Sequence, residues 1–223
     1  LEMPAIIENA FSEGFTLPAL GDKVPDTTQT IQTARTLWDA QTFSDLIKGQ
    51  VNVPDDVLNQ ALAANLEEGG PVKAMKITSL KNHQIKIDAQ TAKNRRVVLV
   101  CKVEQFVHNQ EQSQLILKVT DKKLPGKSFM SWVFPRISLA MVSKVVGHID
   151  PGQGMNMTIH GNTITIDFRQ ALYASPIAQV EFFGYKPVDV LTIQSVTPQD
   201  GYVTISTGLN MPEQLKAMLQ NIL

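Results

Sequence analysis

From Thr28 to Leu66 the apolar positions recur at helical spacing, and from Val72 onward they alternate. TQTIQTARTLWDAQTFSDLIKG places Ile31, Ala34, Leu37 and Trp38 on one face of a predicted helix, and Gly49 is a fitting stop. A short extended piece, VNV, leads into Pro54, which suits the first position of a second helix, PDDVLNQALAANLEEGGP. Asp55 and Asp56 sit at the positive end of that helix's dipole. Val57, Leu58, Ala61, Leu62 and Leu66 form its apolar stripe, and Gly69, Gly70 and Pro71 end it.

Three or four strands then follow as a predicted antiparallel meander. VKAMKITSLKNHQIKIDAQ carries Ile85, Ile87 and Ala89 on one face. RRVVLVCKVEQFVHN carries Val97, Leu99, Cys101 and Val103, and QSQLILKVTD carries Leu115, Leu117 and Val119. Asn109 to Gln112 supply a turn. Later, Gly161-Asn162 and Asp200-Gly201 each separate two alternating runs, a hairpin cue. MKITSLKNHQIKID, MTIHGNTITID and LTIQSVTPQDGYVTIS share one form, either a repeated hairpin unit or the common look of two-sided strands. PEQLKAMLQNIL closes the chain as a short helix after Pro212.

One stretch breaks the alternation: SFMSWVFPRISLAMVSKVVG, Ser128 to Gly147. A membrane span needs about 20 predominantly apolar residues, but Arg136 and Lys144 lie inside this window and strands flank it. Pro135 is instead expected to open a helix from Arg136 to about Val146, preceded by extended or loosely turned chain and charged only in a narrow arc around Arg136 and Lys144. A helix apolar over most of its circumference must be buried on several sides.

The predicted fold is therefore α+β: a long, highly curved antiparallel sheet wrapped around a central apolar helix, with N-terminal helices. Residues 1–28, with Pro4, Pro18 and Pro25 among Phe11, Phe15, Leu17 and Leu20, read as an irregular arm; residues 29–223 read as a single domain. Leu1 precedes the first methionine, Met3, so a signal or anchor upstream would lie outside this sequence.

Composition narrows function mainly by exclusion. Twenty Lys and Arg against twenty-one Asp and Glu give a net charge of -1, which argues against nucleic acid as the main partner. The lone Cys101, inside VVLVCKV, reads as a small core residue. His83, His108, His148 and His160 each fall near a turn or element end, read as solvated, and lack metal-ligand spacing. No nucleophile elbow, phosphate loop or HExxH is present, and GQGMNM lacks the strand–loop–helix context of a phosphate site. Asp88 with Asp167, or His160 with Asp167, are the residual candidates for acid–base work, and Lys93, Arg95 and Arg96 for an anionic headgroup. No metal and no cofactor is expected, and the chain is read as a non-enzyme.

The order of a VPDDVLN element at 53–59, a long meander and the LPG…FPRISLAMVSKVVG block at 124–147 resembles bacterial envelope proteins of the AsmA-like and tubular lipid-binding (TULIP-like) type, including small membrane-anchored firmicute relatives. The resemblance spans roughly residues 43–210 and implies an extracytoplasmic location, periplasmic or membrane-anchored. It also implies an apolar groove between helix and sheet for a lipid or other apolar small molecule, without catalysis. The residues expected to meet it are Trp132, Phe134, Leu139, Val142, Val145 and Val146 from the block, and Ile85, Leu99, Leu117 and Ile166 from strands. Met75, Met130, Met141, Met155 and Met157 are adaptable enough to line such a space. Besides lipid, the reading admits a membrane surface, or an envelope protein bound through a sheet edge, as partner; it includes no nucleic acid.

Overall fold

The computed structural model describes residues 27–121, 124–152 and 154–223. The arm expected over residues 1–28 lies outside them as far as position 26. The elements run α1 (Thr27–Leu37), α2 (Ala40–Lys48), β1 (Gln50–Pro54), α3 (Asp55–Ala64), β2 (Val72–Leu80), β3 (Gln84–Thr91), β4 (Arg96–His108), β5 (Ser113–Val119), α4 (Lys127–Val146), β6 (Asn156–His160) and β7 (Thr163–Asp167). After these come α5 (Arg169–Tyr173), a 3-10 turn (Pro176–Gln179), α6 (Pro187–Val190), β8 (Leu191–Gln199), β9 (Tyr202–Leu209) and α7 (Glu213–Ile222). The architecture is α+β, one large antiparallel sheet with a central apolar helix.

All nine strands join one open sheet, in the order β1-β9-β8-β4-β5-β7-β6, with β3 and then β2 added alongside β4. His108, at the end of β4, pairs with Ser113 of β5 on one side and Ile193 of β8 on the other. The first half of β4, Arg96 to Lys102, pairs with β3. The hairpins β2–β3 and β8–β9 therefore share one edge of β4, end to end, and Gly201 donates its N–H to the Ser79 carbonyl where they meet. The thirteen residues of β4 are the spine that both hairpins need. The meander, the Asn109–Gln112 turn and both two-residue hairpin turns stand as the alternation and turn residues predict.

The VPDDVLN element has a local task. Val51 and Val53 of β1 are buried, and α3 begins directly after Pro54. The outer edge of β2 has no strand partner. Asp55 and Asn59, one helical turn apart, cover it. Asn59 accepts from the Ile77 N–H at 2.7 Å and donates to the Ile77 carbonyl at 3.0 Å, and Asp55 accepts from the Ser79 N–H at 2.9 Å and from its hydroxyl. Side chains thus satisfy backbone groups that would otherwise template another strand.

Two expectations need correction. The single helix expected up to Gly49 is two helices, because Asp39 leaves helical geometry and accepts from the Thr42 N–H at 2.7 Å, a cap that starts α2. Pro135 does not open the apolar helix; α4 starts at Lys127 and runs through it. An interior proline costs about 3 kcal/mol, but ending the helix there would sacrifice the burial of Met130, Val133 and Phe134, each worth about 1.5–3 kcal/mol. Burial wins. The carbonyls around the proline find side-chain donors: Arg136 Nη1 reaches the Trp132 carbonyl at 3.0 Å and the Ser138 hydroxyl reaches that of Phe134 at 2.6 Å.

Thirteen of the twenty α4 residues are buried, which makes this span-length apolar helix the centre of the core. The inner faces of the strands join it in one hydrophobic cluster. Trp38, buried against Phe43 and Phe182, donates its indole N–H to the Val145 carbonyl at 2.8 Å, and Gly147 closes the helix at φ +76°.

Candidate functional site

Nine of the ten residues expected to meet a ligand are interior. Phe134, Leu139, Val142, Val145 and Val146 of α4, and Ile85, Leu99, Leu117 and Ile166 of β3, β4, β5 and β7, are all at most 4 % exposed and belong to the one core. They lie in the hydrophobic core that helix and sheet share. Trp132 alone is half-buried, and with Val146 it is the only one of the ten to border a described surface cleft. Of the five methionines, Met130 and Met141 are core, Met75 borders a small cleft on β2, and Met155 and Met157 face Trp132.

The Trp132 cleft has a volume of about 790 Å³, in the range of small-molecule sites. Ser128, Ser131, Trp132, Pro135 and Arg136 of α4 form one wall, and Met155, Asn156, Met157 and Thr158, leading into and along the edge strand β6, form the other. Helical spacing explains the α4 wall: Ser128, Ser131 or Trp132, and Pro135 or Arg136 are successive turns of one face. The proline contributes a rigid apolar surface there.

Arg136 is the unusual member. The sequence places it in a narrow charged arc of the helix, and its side chain is only 7 % exposed. Its guanidinium stacks over the Trp132 ring at 3.9 Å from the centroid, and Nη2 reaches Glu67 Oε1 at 3.1 Å. Glu67 is 66 % exposed, so a cation taken out of water is balanced by a carboxylate still in it. Arg136 Nε and Trp132 Nε1 are both buried without a hydrogen-bond partner, and they are the two such side-chain atoms among the described residues. Buried unpaired donors are rare and costly.

A second cleft, about 530 Å³, lies at the other end of α4 between Thr36, Leu37, Val146, His148, Ile177 and Val180. Among the described residues it has no acidic, lysine or arginine side chain on its walls and no unpaired buried donor.

The acid–base candidates do not assemble. His160 and Asp167 lie at opposite ends of the β6–β7 hairpin, opposite Thr163 and Asn156, about 13 Å apart at strand rise. Asp88 lines up with Val98 and Asp167 with Val107 through Gln114, nine positions apart along β4, and Asp88 is bound by Arg96 at 2.6 Å. Three histidines are exposed as expected, but His108 is 1 % exposed, its Nδ1 2.7 Å from the Ser113 hydroxyl and Nε2 2.8 Å from the Val188 carbonyl. Alternation along β4 puts His108 in phase with Phe106 on the inner face, the signal that would have found it. Among the described residues no cluster of His, Cys, Asp and Glu is arranged to hold a metal. Comparison with protein-family models, curated proteins and solved structures finds no match to this chain.

Proposed function

We propose that the protein binds, without catalysis, a lipid or similar amphiphile at the bacterial cell envelope, and that it does so in the cleft between α4 and β6. The carrying observation is the buried Arg136, whose Nε and the neighbouring Trp132 Nε1 lack partners beside a methionine-lined cleft. The apolar tail lies over Trp132, Pro135, Met155 and Met157, whose flexible thioethers adapt to chains of differing shape. The acidic headgroup, a carboxylate or phosphate, turns toward Arg136 and competes with the exposed Glu67 carboxylate for the guanidinium. A sheet strongly curled around α4 belongs to this proposal, since curvature governs how closely β6 approaches the helix.

Lipid extraction and native mass spectrometry of the purified chain, with oleate titration read by tryptophan fluorescence, test the reading. Oleate should perturb Trp132 while the buried Trp38 contributes a constant background. Arg136→Gln should weaken oleate about 10- to 100-fold, the value of a charge-assisted hydrogen bond, and Glu67→Gln should tighten it. No co-purified lipid together with no response to oleate would sink the proposal.

With the β2 edge covered by Asp55 and Asn59, a second reading, an assembly module that binds an envelope protein, draws on the sheet edges at β1 and β6. Both are only five residues long, and Pro54 ends β1. Short edges offer little to an added strand, so this reading ranks second; light scattering that finds a stable complex in the absence of lipid would favour it.

A further inference from the structure

The near-zero net charge hides a strong segregation. Between Val72 and Lys123 the sequence carries eleven of its twenty Lys and Arg but four of its twenty-one Asp and Glu. Strand alternation sends much of this charge to one place, the outer face of β2–β5, which no described helix covers. Lys102 stands directly opposite Lys118 across β4 and β5. Lys86, opposite Val100, is in the next row, and Lys76, opposite Asp88, in the row beyond. Like charges placed directly across a sheet destabilise it, so folding alone gives no reason for Lys102 facing Lys118. Asp88 is the acid that offsets Lys76 and Lys86, and Arg96 already binds it.

None of these four lysines makes an ion pair among the described residues; on this face only Arg96 does, with Asp88. Asp88 on β3 and Glu104 on β4 are the two acids that the strand residues of this face present. Aliphatic surface lies between the lysines. Val98 is 42 % exposed, one of two large hydrophobic residues so exposed among those described; Val100, two residues along β4, and Ile116, two residues before Lys118 on β5, are half-buried.

We propose that the outer face of β2–β5 docks the protein onto an anionic lipid bilayer, with Lys76, Lys86, Lys102 and Lys118 meeting headgroup phosphates and Val98 resting at the interface. Clusters of four or more basic residues draw proteins to anionic leaflets, and lysine stems lie along apolar surface while their ammonium groups reach outward. A single-stranded nucleic acid is the less suitable occupant, because it needs aromatic stacking platforms and the outer face of these strands carries none. None of the four lysines borders the Trp132 cleft, so this docking stands apart from ligand binding there.

Flotation of the purified chain with vesicles of phosphatidylcholine, with or without phosphatidylglycerol, is the test. The protein should float only with the phosphatidylglycerol vesicles, and added salt should release it. Each lysine is worth about fivefold in affinity, so Lys102→Gln with Lys118→Gln should weaken binding about 25-fold. Lys48→Gln with Lys186→Gln, the same loss of charge elsewhere, should leave it unchanged, with circular dichroism melting confirming that both variants fold. Trp132→Phe should float like the parent, which separates this result from the cleft. Absence of flotation, equal losses in the two double variants, or tighter binding to single-stranded DNA or polyglutamate at matched salt would each overturn the proposal.

Discussion

Gly154 shows how a residue can matter for a reason its neighbours in sequence do not reveal. It sits at φ +74°, and a Cβ there would lie 2.6 Å from the backbone nitrogen of Ala171, whose N–H its own carbonyl accepts at 3.2 Å. Gly154→Ala should therefore cost at least about 1–2 kcal/mol from the left-handed backbone alone, and more from the contact, read as a lower urea midpoint. GQGMNM lacks the sequence context of a phosphate loop, and in the fold its Gly154 instead admits a helix that starts fifteen residues later. Cys101 is the opposite case, legible from the start. Its apolar neighbours predict a core thiol, and burial, helped by Asp121, pushes its pKa up to about 12. An aqueous thiol reagent at pH 8 should leave the native protein unmodified and label it once it is unfolded in urea.

At the scale of elements, His108 ties β4 to β5 through Ser113 and to α6 through the Val188 carbonyl. Burial holds its pKa below the ordinary 6.5, against the opposing pull of the Val188 carbonyl. A His with a depressed native pKa binds its proton more readily when unfolded. Its neutral form therefore supports the fold fully above about pH 6.5, and that support is lost as pH falls from there toward the native pKa. The melting temperature should drop across this window, and His108→Gln should flatten the drop while lowering stability at pH 8. Sequence position at a strand end suggests a solvated ring; β8, arriving from residue 191 on, buries it. The same competition explains α4. Local rules stop a helix at Pro135, and tertiary burial of the preceding turn carries it through. Residues 169–190 form short helices and a 3-10 turn for which sequence periodicity provides too few turns to read.

At the scale of the molecule, charge and apolar surface are sorted between faces of one sheet. The inner face and α4 form a continuous core. The outer face of β2–β5 is lysine-rich, whereas that of β1, β8 and β9 presents uncharged residues such as Gln50, Asn52, Gln194, Thr204 and Ser206. A total net charge cannot express such a division, because it sums over all orientations, and only strand register places Lys102 beside Lys118.

The sequence by itself determined what depends on neighbours a few residues apart: the alternating strands, their glycine turns, the apolar stripes and the choice of α4 as the core helix. Periods of two and of 3.6 residues sort side chains into faces before any long-range contact forms. The tertiary structure alone decided which apolar residues fill the interior and which border a cleft, that Arg136 is buried against Trp132, and that β4 carries two hairpins on one edge. Each of these depends on partners brought together from distant parts of the chain, Glu67 with Arg136 and His108 with Val188 among them, and no local period encodes such a meeting.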